Sequence, residues 1–175
     1  VTGDDVELRI GVAELRRRPG TRRHLRRSVP IGGLATSTAA TPEGSEGELD
    51  VGLESLADGV TVDGVIRFRW VGPCRRCLEP TGATAEAEIH EVFKDRPEGP
   101  DLLPIEGDTL DLSAVVRDAV VLALPLAPLC RDDCQGPEPE RFPVRPAGEA
   151  APPPDPRWAA LAELRFDREG EDPLG

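Results

Sequence analysis

The sequence predicts an α+β domain: an antiparallel β-sheet with a cysteine-bearing, zinc-knuckle-like hairpin, one central helix and a C-terminal helix docked on the body. Three observations point there. Several stretches alternate apolar and polar residues with period two, as half-buried strands do. One stretch, 111–124, repeats its apolar residues at three-to-four spacing, as a core-facing helix does. Two tight cysteine pairs, Cys74/Cys77 and Cys130/Cys134, hold all four cysteines of the chain.

The elements follow in chain order. In "VELRIGV" (6–12), Val6, Leu8, Ile10 and Val12 fall on one strand face. "AELRRRPG" then predicts a short helical turn stopped by Pro19 and Gly20. "TRRHLRRSVP" (21–30) reads as a weaker strand. Residues 31–47 lack periodicity and are expected to form a flexible loop. "LDVGLES" (49–55) alternates again, "ADG" (57–59) makes a turn, and "VTVDGVIRFRWV" (60–71) puts Val62, Ile66, Phe68 and Trp70 on one side. The segment "CRRCLEP" (74–80) follows directly. After it "TGATAEAEIH" (81–90) alternates Ala85, Ala87 and Ile89 with Glu86, Glu88 and His90. The two arms around the first cysteine pair therefore read as a hairpin, and three strands on short turns as an antiparallel meander.

The helix over 111–124 has Asp111 as its expected N-cap and Pro125 as its stop. Leu112, Val115, Val116, Ala119, Val120 and Ala123 form its apolar face. The domain is expected to span 1–135. Seven prolines between 137 and 154 mark 136–154 as an extended linker. Asp155 as N-cap and Pro156 at the first helical position restart a helix over 155–164, with Trp158, Leu161 and Leu164 on the face that docks. Residues 165–175 form a tail.

Net charge is −12, which opposes blanket nucleic-acid binding. The charge is uneven. Residues 1–30 hold eight arginines against four acids, so a basic arm sits on an acidic body. Arg16, Arg17, Arg18, Arg22, Arg23, Arg26 and Arg27 are the candidate contacts to RNA phosphates; pairing with the body's own carboxylates is the competing reading. No apolar run approaches the roughly 18 residues of a membrane span, and no secretory leader opens the sequence. A cytoplasmic protein without membrane or small-molecule partners is expected.

In a reduced compartment, paired cysteines point to metal before disulfides. Cys74-x2-Cys77 presents two thiolates from one tight turn, and Cys130-x3-Cys134 supplies the second half of a tetrahedral site for structural Zn2+. The gap between the pairs exceeds the roughly 12–20 residues usual in zinc motifs. Arg75, Arg76 and Arg131 lie inside the motifs and can offset thiolate charge. Disulfides, a thiol-based redox site using the first pair, and idle buried thiols stay open as alternatives. A redox CxxC begins a helix, however, and here a turn and strand follow the pair. There is no phosphate loop, nucleophile elbow or carboxylate cluster, so no enzymatic activity is expected.

"LRRRPG" (15–20), "CRRCLEP" (74–80), "DLSAVVRDAVVLALPLAPLC" (111–130), "DDC" (132–134) and "DPRWAALAEL" (155–164) together resemble the YceD family of large ribosomal RNA subunit accumulation proteins, in order and in spacing. The resemblance implies a bacterial cytosolic factor, without catalytic activity, that supports synthesis, processing or stability of 23S ribosomal RNA. Its implied partners are a ribosomal RNA precursor or a large-subunit ribosomal protein. Many members continue after the second pair with Gly-Leu-Cys-Pro-x-Cys-Gly. Here "QGPEPERFP" stands instead, without cysteine.

Overall fold

The computed structural model describes residues 8–99, 102–141, 143 and 157. The expected linker over 136–154 is covered only in part. The expected helix over 155–164 and the tail lie outside the described residues, Arg157 apart.

Five strands form the main sheet: β2 (Arg22–Pro30), β3 (Glu46–Ser55), β4 (Gly59–Pro73), β5 (Pro80–Lys94) and β6 (Leu103–Pro104), in that spatial order. All neighbours are antiparallel except β6, which runs parallel to the end of β5 through Phe93↔Leu103 and Lys94↔Pro104. The expected meander is therefore present and extended at both sides. The stretch 21–30, weak as a pattern because arginines occupy both faces, is a nine-residue edge strand. The alternation of 6–12 does not join this sheet. Its described part forms β1 (Arg9–Gly11), which pairs with β7 (Thr109–Asp111) in a separate two-stranded ribbon.

Period-two patterning decides which face is covered. Leu49, Val51 and Leu53 of β3, Val62, Ile66, Phe68 and Trp70 of β4, and Ala87, Ile89 and Phe93 of β5 all point inward and are buried. Helix α1 (Ser113–Ala123) lays Val115, Val116 and Val120 against this face, and Leu8, Ile10, Val12, Leu110 and Leu112 of the ribbon region complete the core. The outward positions carry a ladder of charge, including Arg22–Glu54, Arg26–Asp50 and Arg67–Glu86.

Helix α1 starts two residues later than the sequence predicts, because Asp111 belongs to β7. Its carboxylate still accepts the Ser113 N–H (2.9 Å) and the Ser113 hydroxyl, so it serves the helix start from the strand end. The short turn before β2 is a 3-10 helix, Leu15–Arg17, and Gly20 leaves it at φ +81°.

Residues 31–47, expected as a flexible loop, are anchored. Ile31, Leu34, Ala39 and Thr41 are buried. The Thr41 hydroxyl donates to the Ile31 carbonyl (2.5 Å) and accepts the Leu34 N–H (3.0 Å). Ala40 exchanges backbone bonds of 2.9 and 2.8 Å with Val71, and so continues the sheet beside β4 beyond the end of β3. A Cβ on Gly72 would lie 2.4 Å from the Thr38 carbonyl, so glycine permits this approach. Aperiodic sequence hid the anchoring because threonine side chains satisfy the segment's backbone.

Phe93 tests this core. It is 1% exposed and sits where β4, β5 and β6 meet. Phe93→Ala is expected to cost about 3–5 kcal/mol in denaturant unfolding through the cavity it leaves.

Candidate metal centre

The β4–β5 ladder runs from Gly59↔Lys94 to Pro73↔Pro80, and its tip is the first cysteine pair. Backbone bonds Leu78 N–H to Cys74 O (2.9 Å) and Cys74 N–H to Glu79 O (2.8 Å) close the tip into a tight knuckle. Leu78 adopts φ +65°, a left-handed conformation that costs a side-chain-bearing residue about 1–2 kcal/mol. The second pair follows α1, where Pro125 turns the chain back toward the hairpin. Two contacts fasten the halves: Arg75 N–H donates to Pro128 O (2.8 Å), and the Arg76 guanidinium donates to Cys134 O (2.7 Å) and Asp132 O (3.3 Å). Thr38, in the anchored 31–47 segment, donates its hydroxyl to Pro125 O (2.9 Å).

The long sequence gap between the pairs is thus bridged by β5 and α1. Cys74, Cys77, Cys130 and Cys134 converge, with all four sulfurs within 4.8 Å of one another. Cys74 and Cys134 sulfurs lie 3.8 Å apart, Cys77 and Cys130 sulfurs 3.7 Å. A tetrahedron with zinc–sulfur bonds of about 2.3 Å has edges of about 3.8 Å. All four cysteines are free, at separations nearly twice the ~2.05 Å of a disulfide. Four soft donors within 4.8 Å, two of their separations at that tetrahedral edge length, are compatible with Zn2+, and a four-coordinate ion held by all four would have no open position.

Electrostatics in the cluster are uneven. The Cys77 backbone N–H, with those of Cys130 and Arg76 and the Cys77 thiol, draws the Cys74 thiol down to about 5 against the opposing effect of burial. Cys130 is pushed up to about 12 by its hydrogen bond with Cys134, burial and the other sulfurs. The Glu79 N–H favours the Cys77 thiolate, but burial and the sulfurs of Cys74 and Cys134 outweigh it and raise Cys77. Four adjacent sulfurs resist joint ionisation, and a dication relieves that repulsion. Of the three arginines expected to offset the charge, Arg76 crosses the cluster, Arg131 pairs with Asp133 (3.2 Å), and Arg75 contributes its backbone N–H. The hairpin setting does not match a redox CxxC, and Cys74 is 0% exposed.

The arginine candidates separate into two sets. Arg16 pairs with Asp95 and with Asp108 (3.1 Å) and donates to Gly107 O (2.9 Å). Arg22 pairs with Glu54 (2.9 Å), Arg26 with Asp50 (2.6 Å), and Arg23 donates to Gly11 O (2.9 Å). These four are engaged by the body. Arg17, Arg18 and Arg27 are exposed and have no ion pair among the described residues. His24, which sequence reasoning passed over, also contacts Asp50 (2.5 Å), and His90 contacts Asp63. Cross-strand register is the signal that pairs them, and composition does not contain it.

The family model described as large ribosomal RNA subunit accumulation protein YceD matches residues 62–165. Proteins named as uncharacterized from Mycobacterium tuberculosis and Mycobacterium bovis are each 32% identical over 167 residues, covering 90% of this chain and 81% of their own. One from Mycobacterium leprae is 29% identical over 133 residues, 71% of this chain and 61% of its own. No solved structure matches. The chain belongs to the YceD family.

Two outcomes are expected. In folded, metal-free protein at pH 7, none of the four thiols should alkylate with iodoacetamide faster than free cysteine. Burial shields Cys74, which is 0% exposed. A single fast-reacting Cys74 would favour redox chemistry. Separately, hydrogen bonding to Arg26, then to His24, holds the Asp50 carboxyl below its ordinary value. Its stabilisation is therefore present above the unfolded pKa near 4 and lost as pH falls through the lower folded value. Arg26→Ala should move the Asp50 titration upward by NMR.

Proposed function

We propose that this YceD-family chain is a cytoplasmic, non-catalytic factor in ribosome biogenesis that supports synthesis, processing or stability of 23S ribosomal RNA. Its hairpin is clamped to the segment after α1 by one structural zinc ion on Cys74, Cys77, Cys130 and Cys134. The family description carries the connection to ribosomal RNA accumulation. The observation that carries the structural role is the convergence of four sulfurs from two distant segments into a closed donor set. A closed set stabilises and offers no site for substrate. No helix among the described residues is long and apolar enough to cross a membrane, which is compatible with this reading.

In this reading RNA meets Arg17, Arg18 and Arg27, whose guanidinium groups are exposed, while Arg16, Arg22, Arg23 and Arg26 hold the fold. The acidic remainder repels phosphate, so contact is local and salt-dependent.

Elemental analysis should return about one zinc per chain, and Cys77→Ser should lower both metal content and melting temperature. Wild-type protein that carries no zinc when isolated from zinc-replete cells, or a Cys77→Ser variant that melts like wild type, would defeat the zinc assignment. Replacing Arg17, Arg18 and Arg27 together by Glu should leave melting unchanged and abolish co-purification of 23S precursor RNA. Undiminished RNA in that folded variant would remove these arginines as contacts. Arg22→Glu with Arg26→Glu should instead destabilise the sheet.

A further inference from the structure

Among the described residues, the β5 side of the main sheet has no partner strand over most of its length. Strand β5 has fifteen residues, yet β6 pairs only with Phe93 and Lys94. The ladder fixes which backbone groups are left over. Cys74 N–H bonds Glu79 O and Asp95 N–H bonds Asp58 O, both in β4–β5 register, so odd-numbered residues of β5 bond to β4. Even-numbered residues face the other way. Lys94 confirms the parity, because its carbonyl accepts Ile105 N–H on the β6 side (2.9 Å). Gly82, Thr84, Glu86, Glu88 and His90 thus present backbone donors and acceptors along a free edge. None of these has a backbone partner on that side among the described residues.

Beside this edge lies a groove of about 340 Å³ between β5 and α1. Its apolar lining includes Ile89, Leu103, Val115, Ala119 and Leu122. Leu122 is 85% exposed and lines the groove. Glu88, Glu91 and Asp118 rim the groove, and none has an ion pair among the described residues, although many exposed carboxylates elsewhere on the sheet do.

We propose that the free edge of β5, with the groove beside α1, receives an extended basic segment of a partner protein by strand addition. Main-chain bonds to Gly82–His90 would supply affinity. An apolar side chain in the groove and cations at Glu88, Glu91 and Asp118 would supply specificity. Other occupants fit less well. The chain's stretch 155–164 has helical spacing, and a helix has no spare backbone groups for a sheet edge. A second copy pairing β5 with β5 would set Glu86 and Glu88 against one another. The opposite edge, β2, carries Arg22 and Arg26, which disfavour a basic segment there. The inference stands apart from the RNA reading, because no arginine of the arm takes part.

The test uses full-length protein and two nine-residue probes, an alternating Lys–Val peptide and its Glu–Val counterpart. Binding is read by amide exchange and chemical shifts. The Lys–Val peptide should protect the amides of Thr84, Glu86 and Glu88 and shift Ala119 and Leu122, while the Glu–Val peptide should do neither. Glu88→Pro removes an outward N–H and leaves the β4 ladder whole, so it should bind at least tenfold more weakly than Glu88→Ala. Leu122→Asp, at an exposed helix position, should fold normally and also lose at least tenfold. Equal binding of both peptides, equal binding by the two Glu88 variants, or unprotected edge amides would overturn the proposal. So would edge protection in the free protein that rises with protein concentration, which would indicate self-pairing. Edge protection released by Trp158→Ala would overturn it too, by showing that the chain's own C-terminal stretch holds the edge.

Discussion

Everything distinctive about this molecule hangs on one fifteen-residue antiparallel ladder. Its register, unbroken from Gly59↔Lys94 to Pro73↔Pro80, sends Ile66, Phe68 and Trp70 to the same side as Ala87, Ile89 and Phe93. A slip of one residue would turn that apolar set outward. The ladder also carries the first cysteine pair to its far end, beyond the part of the sheet that β2 and β3 support. A hairpin tip so extended has few packing partners of its own. The Ala40–Val71 bonds brace β4 just short of the tip, and Arg75 N–H to Pro128 O, the Arg76 guanidinium and the sulfur cluster tie the tip itself to the segment after α1.

The arginine-rich N-terminal stretch shows how a charge excess in sequence is redistributed by a fold. Antiparallel pairing sets Arg22 opposite Glu54 and brings Arg26 to Asp50, and the turn before β2 places Arg16 between Asp95 and Asp108. Exposed pairs of this kind contribute little each, on the order of 0.2–1 kcal/mol. Their larger effect is on function, because a guanidinium already engaged by carboxylate is a poorer ligand for phosphate. The inward-side Arg23 and Arg27 also mark β2 as an edge that resists further pairing.

Much of this was legible in the sequence, for identifiable reasons. The hairpin arms, the helix and the cysteine grouping each rest on local periodicity or spacing, and local signals survive folding. Leu112, Val115, Val116 and Val120 are buried as three-to-four spacing requires. What the sequence concealed is non-local. Nothing in "VELRIGV" says that its partner is Thr109–Asp111 and not the main sheet. Nothing in "ATSTAATP" announces that Thr38, Ala40 and Thr41 will pin the loop to Pro125, Val71 and Ile31. The division of the arginines depends on strand register, and which strands lie at the edges among the described residues depends on strand order.

The sulfur cluster shows that no cysteine beyond Cys134 is needed to bring four thiol donors together. Two pairs from separate segments bring four sulfurs within 4.8 Å of one another, the number of donors that fills a tetrahedral site. Any additional pair would have to displace one of these or bind elsewhere. The burial pattern supports a self-sufficient cluster as well. Cys74 and Cys134 lie fully inside and touch, while Cys77 and Cys130 face outward and touch. Both of these contacts join the hairpin to the post-helix segment. A clamp made of cross-segment contacts resists separation of the two segments even when its outer half is wet. That is the mechanical property an isolated hairpin tip needs.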